Sequence, residues 1–325
     1  MPRIFIARGA VAVFSLAALM AWQQAQAPFA RIAPRQGPDP SILFVGDIML
    51  DRSVARHAMA SSTGALFKGV LGLFRTADAN VANLEGAITQ NPSIAQIDHT
   101  ILHFTFDPVL AQNALAPLNL SAASLANNHA YDFGVSGFDA TRQYLEGWGI
   151  QAFGHPYNVR NLSAQMVLRG KTICLVGYHS LYDATTTEVV AEVANIKPGC
   201  YRVVVFAHWG QEYEPVADAA QERQAHEFID AGADLVVGAH PHVVQNVEVY
   251  RDRAIFYSLG NFMFDQNFSW ATTHGLAVKA TFGATSTTYN LTPITIQNQE
   301  ATLANKPDSQ RVLGAAGRLA EFTLP

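Results

Sequence analysis

From Ser41 onward the chain repeats one pattern. A short apolar run, rich in β-branched residues, ends in a polar cluster, and a stretch with helical spacing or turn residues follows. The runs are Ile42–Val45, Ala79–Leu84, Ser121–Leu125, Ile173–Val176, Val203–Ala207, Leu235–Val237 and Ile255–Tyr257. Continuous apolar runs this short predict strands covered on both faces. Phe138–Trp148 and Ala217–Ala231 carry helical spacing. The second sets Ala217, Ala220, Ala225, Phe228 and Ile229 on one face and stops at Gly232. Strand and helix in alternation predict an α/β domain. Leu276–Phe282 and Tyr289–Ile296 alternate apolar and polar residues, which predicts an antiparallel pair, and residues 308–322 read as a terminal helix.

The polar clusters fall at the ends of the runs. They are Gly46-Asp47, Glu85-Gly86, Asn127-Asn128-His129, His208-Trp209-Gly210, Gly238-Ala239-His240-Pro241-His242 and Ser258-Leu259-Gly260-Asn261. In open α/β sheets ligands bind beyond the carboxyl ends of the strands, so parallel strands would gather these clusters on one rim. Imidazole nitrogen, carboxylate oxygen and an asparagine carbonyl together form a donor set for Zn, Mn or Fe. Asp47, Glu85, Asn128, His208, His240 and His242 supply that set. Two ions about 3.5–4 Å apart need one bridging carboxylate with ligands on both sides. In extended backbone His240 and His242 share a side, and Pro241 fixes its own φ. Singly each cluster has a plainer reading: Asp47 as a helix N-cap, Asn127-Asn128 as a turn pair, Glu85 as a solvated loop residue. The repetition at strand ends favours the site. Of the 11 histidines, His57, His99, His155, His226 and His274 lie in predicted loops or on helix surfaces and read as structural.

Composition changes the picture mainly at the N-terminus. Arg3 and Arg8 precede the uncharged stretch Gly9–Trp22, and Ala25-Gln26-Ala27 matches a small-residue cleavage pattern. Residues 1–27 therefore read as a secretory signal or as an uncleaved membrane anchor. Pro28, a poor residue after a cleavage point, keeps the anchor in play. Residues 28–40 carry four prolines and read as a linker, leaving 41–325 as the folded domain. The 325 residues are 49% hydrophobic and 14% charged, which excludes a disordered chain. A net charge of -5 without single-sign runs points away from nucleic acid. Cys174 and Cys200 in an exported chain are either a disulfide or two buried thiols.

Taken together, Gly46-Asp47-Ile48-Met49-Leu50, Asn83-Leu84-Glu85-Gly86, Leu125-Ala126-Asn127-Asn128-His129 with Asp132 and Gly134, His208-Trp209-Gly210-Gln211-Glu212-Tyr213, Gly238-Ala239-His240-Pro241-His242-Val243 with Gln245, and Tyr257-Ser258-Leu259-Gly260-Asn261-Phe262 resemble the CapA family. These are bacterial capsule-synthesis proteins associated with poly-γ-glutamate. The likeness runs in order from about residue 41 to 266. It implies a branch of the calcineurin-like metallophosphoesterases, with a four-layer α-β-β-α sandwich and a two-metal site. By motif, Asp47 and His242 would hold the first ion, Glu85 would bridge, and Asn128, His208 and His240 would hold the second. His129 would act on the substrate as proton donor or oxygen contact. The sequence departs from the general phosphoesterase pattern twice. Met49 stands where that pattern has histidine, and a thioether is a poor ligand for hard dications. Glu85 stands where aspartate is usual. The His242 ion should therefore be the weaker one, unless Asp51 compensates rather than facing solvent.

A two-metal centre lowers the pKa of water and polarises the bond attacked, which suits hydrolysis of phosphoesters or of γ-glutamyl amides. Glu212, Tyr213 and Asp265 are candidates for substrate contact or for support of the ligands. The reading is a metal-dependent hydrolase or transferase acting on an extracytoplasmic anionic polymer or peptide. Two others compete: a non-catalytic, membrane-tethered component of a capsule synthesis and export machinery, and a metal-assisted peptide epimerase with His129 as base.

Overall fold

The computed structural model describes residues 38–97, 100–182 and 185–325. The 1–27 signal or anchor segment, the linker up to residue 37 and His99 lie outside the described residues. In chain order the strands are β1 (Ser41–Ile48), β2 (Ala79–Leu84), β3 (Ala87–Ile88), β4 (Thr105–Phe106), β5 (Ala122–Ser124), β6 (Gln151–Phe153), β7 (Ser163–Leu168), β8 (Lys171–His179) and β9 (Arg202–His208). They continue with β10 (Leu235–Ala239), β11 (Val247–Tyr250), β12 (Arg253–Phe256), β13 (Asn261–Met263), β14 (His274–Phe282), β15 (Thr287–Gln297), β16 (Glu300–Leu303) and β17 (Glu321–Leu324). The α-helices are α1 (Arg52–Ala60), α2 (Pro108–Leu115), α3 (Gly134–Gly147), α4 (Thr187–Ile196), α5 (Ala219–Asp230) and α6 (Lys306–Ala316).

Two sheets carry the molecule. The larger runs β16-β15-β14-β1-β2-β5-β6, with β13 on β1 and β17 on β15; the smaller runs β11-β12-β10-β9-β8-β7. β1, β2, β5 and β6 pair in parallel. So do β8, β9, β10 and β12. Alternation along each strand then builds the layers. Ile42, Phe44, Ala79 and Val81 from the first sheet meet Leu175, Val204, Phe206 and Val237 from the second in one apolar cluster. Leu43, Val45, Ala82 and Leu84 turn the other way, onto residues of α1, α2 and α3. Val176, Val203, Val205 and Val236 turn onto α4 and α5. Both sheets are thus covered on both faces, as the continuous apolar runs require, and the layers are helix, sheet, sheet, helix. Each fully buried valine, isoleucine or phenylalanine here contributes about 1.5–3 kcal/mol.

Local signals set the element ends. Asp218 caps α5 by accepting from Ala220 and Gln221 N–H groups, and Gln221 closes the capping box. Asp51 caps α1, so it neither reaches solvent nor joins the ligands. Its buried carboxylate also accepts from Ser93 Oγ at 2.8 Å, Gln96 Nε2 at 2.8 Å and Thr105 N–H at 3.0 Å. β14 and β15 form the expected antiparallel pair. The expected helix over 308–322 ends earlier. Gly317 at φ 65° caps α6 in the left-handed region, and Glu321–Leu324 becomes β17 against β15. Cys174 on β8 and Cys200 before β9 are disulfide-bonded across 26 positions. Among the described residues, no helix is long and apolar enough to cross a membrane.

Candidate metal centre

The carboxyl ends of the parallel strands of both sheets meet at one rim. Asp47 lies near the end of β1 and Glu85 follows β2. Asn127–His129 follow β5, His208 ends β9, and His240–His242 follow β10. Asp47, Glu85, His208, His240 and His242 are all buried. Two groups of three have their ligand atoms within 4.8 Å of one another: Asp47, Glu85 and His208, and Glu212, His240 and His242. Further contacts link the groups. His242 Nδ1 lies 3.5 Å from Asp47 Oδ2, and its Nε2 lies 3.8 Å from Glu85 Oε1. His208 Nε2 is 2.8 Å from Asn128 Oδ1. The His240 N–H donates to Asp47 Oδ2 at 3.2 Å, tying one sheet to the other.

The backbone of the His-Pro-His segment differs from the extended form expected. His240 has φ 95° and His242 φ 59°. Just before the turn, Gly238 packs closely on the segment after β12: a Cβ on it would sit 1.9 Å from the Tyr257 carbonyl oxygen. The two rings still come together, with centroids 5.8 Å apart. Positive φ at two non-glycine residues is strain of the kind concentrated at functional sites.

The electrostatics suit a cation. Burial pushes the Glu85 carboxyl well above its ordinary range, and the Asp47 charge beside it adds to the effect. Burial likewise pushes His208 well below the usual histidine range, with His240 reinforcing it, and pushes His240 down to about 3, with His242 reinforcing it. These imidazoles are therefore neutral lone-pair donors near pH 7. Among the described residues, Glu85 Oε1 and His240 Nδ1 are buried and meet no hydrogen-bond partner. Two orphaned acceptors beside two carboxylates cost several kcal/mol in a dry site, and a bound dication would answer both.

His129 sits at the edge. Its Nδ1 meets Asp132 Oδ2 at 2.8 Å, and its Nε2 lies 4.0 Å from Glu85 Oε1. A carboxylate only accepts, so this contact places the ring proton at Nδ1 and leaves the Nε2 lone pair on the Glu85 side. Phe104 packs on the ring at 4.2 Å between centroids, and its N–H donates to Asp132 at 2.7 Å. Tyr213 stands at the rim, its ring 6.1 Å from that of His242. Asp265 is engaged by the first turn of α1. It holds the Arg52 guanidinium and accepts from the Ser53 N–H and hydroxyl. Met49 is fully buried in the apolar cluster, and its sulfur accepts from the Asp51 N–H at 3.0 Å.

Several site residues escaped the sequence reading. Asn83 lies inside a quoted motif, and its Nδ2 touches Asp47 Oδ1 at 2.8 Å, Glu85 Oε2 at 3.5 Å and His208 Nδ1 at 3.3 Å. Asn127 fixes that amide by donating to Asn83 Oδ1 at 3.0 Å. Asn261 orients His242 through Nδ1 at 3.0 Å. Arg52 lies over Phe104 and Phe264, the rings that flank His129 and His242. Its signal was an arginine five residues after Asp47, with no apolar run to frame it. Among the described residues His57, His155, His226 and His274 belong to neither ligand group; His155 and His274 are buried rather than on a surface, and His274 opens β14 instead of lying in a loop. His57 pairs with Glu300 at 3.1 Å and His226 with Glu248 at 2.9 Å.

Comparison with known proteins agrees with the motifs. The family model described as "Bacterial capsule synthesis protein PGA_cap" matches residues 41–266. The PGA biosynthesis protein CapA of Bacillus subtilis (strain 168) is 32% identical over 247 residues, which are 70% of this chain and 64% of that protein. The capsule biosynthesis protein CapA of Bacillus anthracis is 28% identical over 282 residues, 80% of this chain and 67% of that one. The chain thus spans about two thirds of the length of these relatives. Among solved structures it is similar to a hypothetical protein from Thermus thermophilus, at 13% identity over 81% of this chain and 96% of that one, with TM-score 0.49. That likeness is too distant to carry an argument. The family match covers well over half of the sequence, and the chain belongs to the bacterial capsule synthesis (CapA) family.

Proposed function

We propose that this protein is a divalent-metal-dependent hydrolase or transferase of metallophosphoesterase type. Its substrate on this reading is an anionic polymer or γ-glutamyl peptide handled in capsule synthesis outside the cytoplasm. The observation that carries the reading is the buried rim where two sheets bring Asp47, Glu85, His208, His240 and His242 together, with Glu85 Oε1 and His240 Nδ1 lacking a protein partner among the described residues. Asp47 and His242 would hold one ion, Asn128, His208 and His240 a second, and Glu85 would be shared. Mn, Zn or Fe suits this mix of oxygen and imidazole donors. When bound, the ions would supply Lewis-acid polarisation and activation of water. The chain's own part is then clear. The surrounding apolar residues keep the site dry. Asp132 holds the His129 proton at Nδ1 and leaves Nε2 to receive or return a proton at the substrate. Tyr213 and the exposed Phe268, their rings 5.1 Å apart, form a rim for an extended substrate.

The test is turnover by the purified protein, loaded with Mn or Zn, on a γ-glutamyl peptide and on an aryl phosphate. Bound metal with no turnover on either would count against it. The second reading, a non-catalytic tethered component of the capsule machinery, is favoured by Met49, which removes a ligand from the first motif. If His240→Ala with His242→Ala abolishes metal binding while polymer production in cells persists, this second reading stands. Export and anchoring rest on residues 1–27 and are checked by whether an alkaline phosphatase fused after residue 40 becomes active.

A further inference from the structure

Met49 supplies no ligand, because its sulfur is buried and engaged by a backbone N–H. Beside His242 a carboxylate is available. Glu212 Oε1 lies 3.9 Å from His242 Nε2, and Glu212, His240 and His242 offer three ligand atoms within 4.8 Å. The approach is held by the backbone. Gly210 at φ 81° and Tyr213 at φ 68° bend the loop, and the Tyr213 N–H donates to the Pro241 carbonyl at 2.8 Å. The loop is therefore pinned to Pro241, between the two histidines. Asn261 engages His242 Nδ1, so Nε2 is the atom turned toward Glu212 and Glu85. The third member of the group, His240, is buried and its Nδ1 has no hydrogen-bond partner among the described residues.

We infer that Glu212 is a metal ligand, filling with His242 the coordination place that Met49 leaves open. This deepens the metal-enzyme reading and rests on it. A carboxylate oxygen is a hard donor suited to the ions that a thioether binds poorly. The Glu212 side chain is 43% exposed while its partners are buried, so its ion is the one that exchanges with solvent. The loop that brings Glu212 is also the rim that meets substrate, which links filling of this site to the rim's position.

The experiment is calorimetric titration of the chelator-stripped full chain with Mn2+, alongside Glu212→Gln and Glu212→Asp. Circular dichroism of the metal-free variants checks folding, which an exposed position should leave intact. For a wild type that takes two ions, Glu212→Gln should weaken one binding event by at least about 10-fold and spare the other. Glu212→Asp should restore part of the loss. For a wild type that takes one ion, weakening of that event by Glu212→Gln supports the assignment equally. Unchanged binding in Glu212→Gln, with metal bound by the wild type, overturns Glu212 alone. A wild type that takes no Mn2+ overturns this assignment and the metal-enzyme reading together.

Discussion

His129 has its proton placed by a neighbour. Asp132 accepts from Nδ1 and is itself steadied by the Phe104 N–H. Asp132→Asn offers a side chain that can rotate to donate, so the tautomer is no longer set. We expect kcat on a γ-glutamyl peptide to fall by about 10²- to 10⁴-fold with KM little changed. A change in KM alone would show that the pair only binds. His155, outside both ligand groups, gives a second test. Its Nδ1 accepts from the Tyr157 N–H at 3.1 Å and its Nε2 meets Tyr131 Oη at 2.8 Å. Burial, with Arg160 and Arg142 nearby, pushes its pKa down to about 4. An unfolded histidine takes its proton near 6.5. The unfolded state therefore binds more protons between these values, and stability is full above pH 6.5 and lost as pH falls toward 4. With allowance for solvent screening, the loss is on the order of 2 kcal/mol. His155→Gln should flatten the decline of Tm across that window; a decline parallel to the wild type would refute the assignment. At this scale the sequence was legible where chemistry is local, as in His240, His242 and Glu85. It was silent where a role depends on direction. Nothing in the order of residues says that Met49 turns into the core, that Asp51 caps a helix, or that Asn83 aims one nitrogen at three acceptors.

Between elements, close backbone approach builds the rim. A Cβ on Gly46 would lie 1.8 Å from the Gly260 carbonyl oxygen, and one on Gly238 1.9 Å from that of Tyr257. Gly238→Ala must push β10 away from the segment after β12, at about 1–3 kcal/mol or more. It should lower Tm and weaken metal binding together; an unchanged Tm would show that the strands yield without cost. The disulfide is the other inter-element tie, closing α4 between β8 and β9. Loop-closure entropy for this span is worth about 3–4 kcal/mol. Reduction, or Cys174→Ala with Cys200→Ala, should lower Tm by roughly 6 °C. The central strands were legible because burial on both faces leaves an uninterrupted apolar run. Helix α1 was not, since its outward face is arginine and histidine and only Val54, Ala55 and Ala58 are buried. Edge strands β7, β11 and β17 alternate and are half exposed, so their short patterns resemble loops. Gly317 decided the C-terminal segment, and a lone glycine reads in sequence as either a stop or a tolerated interruption.

Across the whole molecule, the proposed ligand set is divided between the two sheets. Asp47, Glu85 and Asn128 come from the ends of β1, β2 and β5, and His208, Glu212, His240 and His242 from the ends of β9 and β10. A ligand that binds only the folded chain stabilises it by about 2.7 kcal/mol at a hundredfold excess over Kd. Chelation should therefore lower Tm by several degrees. His208→Ala, which removes a ligand from one of the two proposed ions, should lose part of that response at the same metal concentration, measured by differential scanning calorimetry; a response equal to the wild type would refute the assignment. The same division has a consequence for how the chain assembles. A folding intermediate with one sheet formed and the other still open presents only half of the donors, and those stay wet and mobile. It has little hold on a dication. On the proposed ligand set, metal capture would come after the sheets have docked, as the closing event of maturation rather than its seed, and a chain arrested before that point would stay empty.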